Sequence, residues 1–214
     1  MKQSGISQAT EAFQYLKKEI IDGDLRPNQR LVESSIAKEL GISRTPVREA
    51  LKELQIKGYL TPLSSGGMVV SELSHTKIIE MNEIREALET KAIVLACERI
   101  TEDELRNAEE FHSQCLEAIG KKDIERFAEL NQSFHNMLIS GCHNKHLYSL
   151  IDSIRDQYLD RQITRSFTTR QWKTIGRQHQ RLVDAVRDRD ALRAKRVVLD
   201  HLELFVKGAI RRHI

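Results

Sequence analysis

Asn131 and His135 stand four residues apart in NQSFH, a spacing that projects both side chains from one face of a helix. His179 and His201 follow, on either side of a charged turn at Asp188–Asp190. Two antiparallel helices joined by so short a connection would set those two imidazoles together. Histidine is the commonest metal ligand, and three imidazoles with one oxygen donor suit a first-row divalent ion. The chain has no HExxH or CxxC pattern, so on spacing alone the competing reading is a scatter of polar or core histidines. A metal-dependent hydrolase would need a general base beside the ion, usually Asp or Glu, and Asn131 cannot serve. G-x-S-x-G, Walker and GxGxxG motifs are absent as well. His112, His143, His146 and His213 read as surface or cap residues.

A second group with chemistry lies in LVESSIAKELGISRTPVREALKELQIKGYL, Leu31 to Leu60. Val32 to Leu40 reads as a short helix with Ile36, Ala37 and Leu40 inward, Gly41 as the turn, and Ile42 as a plug in the joint. Ser43 or Thr45 caps the next helix, with Pro46 in its first turn, where the missing N–H costs nothing. That helix buries Val47, Leu51 and Leu54 and presents Arg44, Arg48, Lys52 and Gln55. Two short helices about a Gly turn, the second with long donors at its start, make a helix-turn-helix. Its arginines can reach guanine O6 and N7 bidentately, and its hydroxyls suit phosphates. YLTPL and MVVS flank SSGG as a hairpin wing with Gly66 and Gly67 at the tip. The competing reading is a merely solvated basic face.

The elements that must carry these residues are legible from the breakers. Of 214 residues, 40% are hydrophobic, 30% charged and 5% aromatic, which suits one large or two small globular domains. All three prolines fall in the first 62 residues, and none follows Pro62. The chain therefore divides into a punctuated segment, 1–71, a linker, 72–76, and a helical segment, 77–214. The expected helices of the latter run from Ile78 to about Ile100, from the Thr101–Glu104 capping box to Gly120, and from Asp123 to about Gly141. Three more run from about Lys145 to Ser166, Gln171 to Asp188, and Ala191 towards Arg212. This predicts a mainly α fold, a winged helix-turn-helix followed by an antiparallel six-helix bundle. No apolar run is long enough to span a membrane, the N-terminus lacks a signal-peptide core, and three cysteines are too few for a disulfide framework. A cytoplasmic location is expected. Net charge is only +3, but residues 72–125 hold 14 acidic against 7 basic residues and residues 155–214 hold 7 against 15. That asymmetry favours mutual packing or a basic cavity for an acidic ligand.

The motif at Leu31–Leu60 closely resembles the winged-helix domain of GntR-family bacterial transcription regulators, with an unbroken match from Ser43 to Leu51. The resemblance implies DNA contacts from Ser43, Arg44, Thr45, Arg48 and Gly66, joined by Lys52 on the exposed face. Some members carry an arginine where this chain has Ser34. The remaining chain, from ELSHTKIIEMNEIREALE through NQSFHNMLISGCHN to HQRLVDAVRDRDALRAKRVVLDHL, resembles the all-helical FCD domain of the FadR subgroup. Many such domains hold a metal with an Asp, a His four residues later and two further histidines. The matching residues here are Asn131, His135, His179 and His201, so a neutral amide stands where the carboxylate is usual. A divalent ion, zinc or nickel, is implied. A small carboxylate effector would engage the ion and Arg85, or hydrogen-bond to Asn131. The competing reading for Arg85 is an intrahelical pair with Glu89. The implied function is a ligand-responsive, homodimeric regulator on a palindromic operator, controlling a catabolic operon, because two-fold symmetry doubles what one recognition helix can bury.

Overall fold

The computed structural model describes residues 7–72, 74–157 and 167–212. The chain forms two compact units, Met1–Leu73 and Ser74–Ile214. In the first, α1 (Gln8–Asp22) is capped by the Ser7 side chain and buries Ala12, Phe13, Leu16 and Ile20, an i, i+4 stripe. Helix α2 (Glu33–Leu40) ends at Gly41, whose φ of +65° is the left-handed conformation that glycine adopts without a Cβ penalty. The Ile42 amide then closes onto the Ala37 carbonyl at 3.1 Å. Helix α3 (Arg44–Ile56) packs Val47, Ala50, Leu51 and Leu54 inward. Behind it lies a small antiparallel sheet, β1 (Arg30–Leu31), β2 (Leu60–Pro62) and β3 (Met68–Val70), in the order β1-β3-β2. The β2–β3 hairpin is the wing, in register Leu60↔Val70. Strand β1 is an addition to the sequence expectation: two residues are too few to show an alternating pattern.

The second unit holds six helices among its described residues: α4 (His75–Arg99), α5 (Glu102–Lys121), α6 (Ile124–Ser140), α7 (Lys145–Gln157), α8 (Thr169–Arg187) and α9 (Ala191–Arg212). Helix α4 starts three residues before the expected Ile78, because Ser74 caps it by accepting from the Lys77 amide. The Thr101–Glu104 capping box forms as read, and Thr168 with Gln171 forms a second that starts α8 earlier than expected. Gly120 is not the left-handed terminator of α5. The helix continues to Lys121, and Lys122 takes the left-handed turn at φ +56°. The expected continuation from Gln157 to Ser166 lies outside the described residues, as does His213. Helix α4 lies against α9, and α5 against α6 and α8. Their shared core includes Ile93, Cys97, Phe134, Leu138, Leu182, Val186, Val197 and Leu202.

Close to the functional side chains, α9 carries a glycine for a packing reason. The ring of Phe167 sits directly on Gly208, where any Cβ would overlap it, and makes an edge contact with Phe205 at 5.3 Å. Gly208→Ala should therefore destabilise the second unit by about 1–3 kcal/mol, the usual penalty for overpacking. Thermal unfolding should show a lower midpoint, partly restored when Phe167→Leu is added.

Candidate metal centre and nucleic-acid interface

Three helices deliver the histidines to one interior point. His135 comes from α6, His179 from α8 and His201 from α9, and one nitrogen from each ring lies within 4.8 Å of the other two. Ring centroids are 4.7 Å apart for His135–His201, 4.9 Å for His135–His179 and 5.4 Å for His179–His201. Phe134 stacks on His179 at 4.1 Å and touches the edge of His135, which fixes the orientation of both rings. Asn131, one turn before His135, is buried.

The donor set fits a divalent cation. The Asn131 Oδ1, the His135 Nε2 and both nitrogens of His179 are buried without a hydrogen-bond partner. Each such orphan costs about 1–3 kcal/mol, and a divalent cation is a species that would satisfy several of these lone pairs together. Gln178 Oε1 lies 3.0 Å from His201 Nδ1. An amide oxygen only accepts, so Nδ1 carries the proton and Nε2 keeps the lone pair. Burial, the largest influence, holds His135 and His179 well below the ordinary imidazole pKa, with neighbouring histidines adding to it. His201 is lowered to about 4, again chiefly by burial. All three rings are therefore neutral at pH 7 and need lose no proton to ligate.

Beside this cluster lies a buried charged group that sequence spacing showed only in part. Arg85 donates from Nε to Glu89 at 2.8 Å, so the intrahelical pair does form. Arg155 of α7 donates to both oxygens of the same carboxylate, at 3.2 Å from Nε and 2.7 Å from Nη2. Burial alone would raise Glu89, but the two guanidiniums outweigh it and hold the carboxyl down at about 2. Arg85 also lies over the Phe205 ring, 5.6 Å from its centroid, and His201 packs against the same ring at 5.8 Å. Arg155 and Gln178 escaped the sequence reading because nothing local to them marks a partner on another helix. His112 corrects an expectation. It is no surface residue but is buried, with its ring 6.0 Å from that of His179. Apolar positions Leu105, Ala108 and Cys115 share its stripe on α5 and were the available signal. His143 bonds the Glu104 carboxylate of the capping box, and His146 is exposed.

In the first unit, Arg44, Arg48 and Lys52 recur at four-residue intervals on the exposed side of α3. Ser43 occupies the N-cap position but makes no capping bond through its side chain. Thr45 is exposed in the first turn. Gly66, at φ +86°, has open space where a Cβ would be, and its carbonyl accepts from Arg30 Nη2 at 3.0 Å. Glu33 of α2 gathers both arginines: Arg48 Nε at 2.6 Å and Arg44 Nη2 at 3.0 Å. Hydrogen bonding by Arg48, foremost, holds its carboxyl at about 2.

A winged helix-turn-helix joined to a helical unit with a histidine-lined interior defines a DNA-binding transcription regulator with its own sensor domain. Residues 8–70 match the bacterial regulatory proteins of the gntR family, and residues 80–204 match the FCD domain. The chain belongs to the GntR family and carries an FCD domain. It is 32% identical over 191 residues to the HTH-type transcriptional regulator YdhC of Bacillus subtilis, covering 88% of this chain and 85% of that one. It is 28% identical over 178 residues to the Nta operon transcriptional regulator of Aminobacter aminovorans, covering 83% of each. Among solved structures, Escherichia coli McbR/YncC superposes with a TM-score of 0.83 at 22% identity, covering 98% of this chain and 100% of that one. Both of these sequence relatives are named transcriptional regulators, and the solved structure shares the fold. No described helix is long and apolar enough to cross a membrane.

Two outcomes test this geometry. Glu89→Gln leaves two buried guanidiniums without their anion and should cost about 3–5 kcal/mol, read from urea unfolding. Glu33 has a depressed folded pKa, so its ion pairs stabilise fully above the unfolded value of about 4.3 and are lost as pH falls towards about 2. The unfolding midpoint of Glu33→Gln should thus lie below that of the unaltered chain at pH 6, and the gap should close across that acid window.

Proposed function

We propose that this regulator acts as a homodimer on a palindromic operator, read by Arg44 and Arg48 with Ser43, Thr45, Lys52 and Gly66 against phosphate and groove. Two symmetry-related α3 helices would supply the contact that one alone lacks. Exposed Ile79, Ile84, Leu150 and Leu192 in the second unit support association through the helical domain.

The same reading places one divalent ion, zinc or nickel, on His135, His179 and His201, with Asn131 as a weak fourth donor. The observation that carries it is the convergence of three neutral imidazoles whose buried nitrogens, with the Asn131 oxygen, largely lack any other partner. A bound ion would supply a Lewis-acidic anchor for a small carboxylate, and Arg85, packed on the same Phe205 ring as His201, would orient it. Effector binding would change the population of dimer geometries that fit the operator. As with the Nta operon regulator, an operon is the natural target, here one that consumes the effector.

Elemental analysis of protein purified without chelators should find one divalent ion per chain; a metal-free protein that also fails to take up added zinc overturns the assignment. Asn131→Asp should tighten binding, because a charged oxygen holds a dication better than an amide. On the DNA side, Arg44→Ala or Arg48→Ala should each reduce discrimination between operator and random DNA by about 5–150-fold, the worth of one bidentate base contact. Gel-shift titration measures it, and sedimentation of the full chain at micromolar concentration should give a dimer.

A further inference from the structure

His112 is a fourth buried histidine beside the cluster, and its hydrogen bonds define which of its nitrogens carries the proton. Gln180 Nε2 donates to the Asp184 carboxylate at 2.9 Å. A carboxylate only accepts, so the amide nitrogen faces Asp184 and the amide oxygen is the atom 3.0 Å from His112 Nε2. That oxygen in turn only accepts, so His112 Nε2 bears the hydrogen and Nδ1 keeps its lone pair. This Nδ1 is buried and has no hydrogen-bond partner.

His179 presents the complementary deficit. Both of its nitrogens are buried and unpartnered, and only one of them can serve as a ligand. The other then carries an N–H in the protein interior, and histidine ligands nearly always donate that hydrogen to a second group. Among the side chains of the described residues, the buried unpartnered atoms outside His179 are Asn82 Oδ1, Asn131 Oδ1, His135 Nε2 and His112 Nδ1. Asn131 and His135 belong to the donor set, and Asn82 is bonded through its amide nitrogen to Glu86 on α4. His112 is the ring in edge-to-face contact with His179, centroids 6.0 Å apart, and since no direct bond joins their nitrogens a water would have to link them.

We propose that His112 is a positioning residue for the metal centre, accepting the non-ligating N–H of His179 on its Nδ1 through one bridging water. The chain Asp184–Gln180–His112 would thereby hold His179 in the tautomer and orientation that ligation requires. This rests on the metal reading above.

The test measures zinc affinity of the full-length protein by competition with a chromophoric chelator. His112→Leu should weaken binding by about 10–100-fold, the usual consequence of losing such an outer partner. His112→Asn, whose Oδ1 falls near the position of Nδ1, should restore affinity to near that of the unaltered chain; a merely space-filling role would favour Leu over Asn. Nitrogen-15 NMR of the unaltered zinc-loaded protein needs no substitution and should find His112 protonated at Nε2, with a slowly exchanging N–H on His179. Equal zinc affinity in His112→Leu, or a His112 protonated at Nδ1, overturns the role of His112 and leaves the metal reading intact. Failure of the unaltered chain to bind zinc overturns both.

Discussion

Burying polar nitrogen without a partner is the constraint on which the helical unit turns. Imidazoles, the Asn82, Asn131 and Gln178 amides, the Thr90 hydroxyl and a carboxylate with two guanidiniums are buried in a bundle whose core is otherwise apolar. In such surroundings an unmade hydrogen bond costs far more than a made one contributes, so each group must be answered by a precise neighbour. Some answers lie within the chain: Glu89 for Arg85 and Arg155, Gln178 for His201, Gln180 for His112. Others do not, and the unanswered atoms collect around His135, His179 and Asn131. A bundle that leaves these lone pairs facing one another offers a place that could hold an ion.

The charged layer explains why this interior stays rigid enough to serve. Glu89 ties α4 to α7 through Arg155, and both guanidiniums hold its carboxyl down against the upward push of burial. Aromatic rings provide the remaining walls. Phe134 packs against His135 and His179, while Phe205 touches both Arg85 and His201 and is backed by Phe167 on the bare surface of Gly208. Polar specificity and apolar support thus alternate, so that displacing either would misplace the ligating nitrogens.

The DNA-reading unit follows a different economy. Arg44 and Arg48 are exposed, and their pairing with Glu33 is reversible in high-dielectric surroundings. Water can answer those groups when DNA is absent, so no buried network is needed. What the unit requires is backbone shape: the left-handed Gly41 between α2 and α3, and a wing tip at Gly66 left clear of any side chain.

That contrast also separates what could be read from the residues alone. Hydrogen bonds of caps and turns act over three to five residues, so Thr101 with Glu104, Asp123 as an N-cap, Gly41 and the α3 face were all legible in order along the chain. The i, i+4 pair Asn131 and His135 was legible for the same reason. The short turn before α9 made His179 and His201 credible neighbours. Other features were decided only by tertiary packing. Arg155 reaches a carboxylate 66 positions away, His112 meets Gln180 across 68, and β1 finds β3 from the far side of two helices. Lys122 rather than Gly120 takes the left-handed turn after α5, which lets the Asp123 amide close onto the Ala118 carbonyl while the Asp123 side chain caps α6. Local pattern determines which face of each helix is buried, but the register between helices determines which polar atoms meet, and that register is a property of the assembled core.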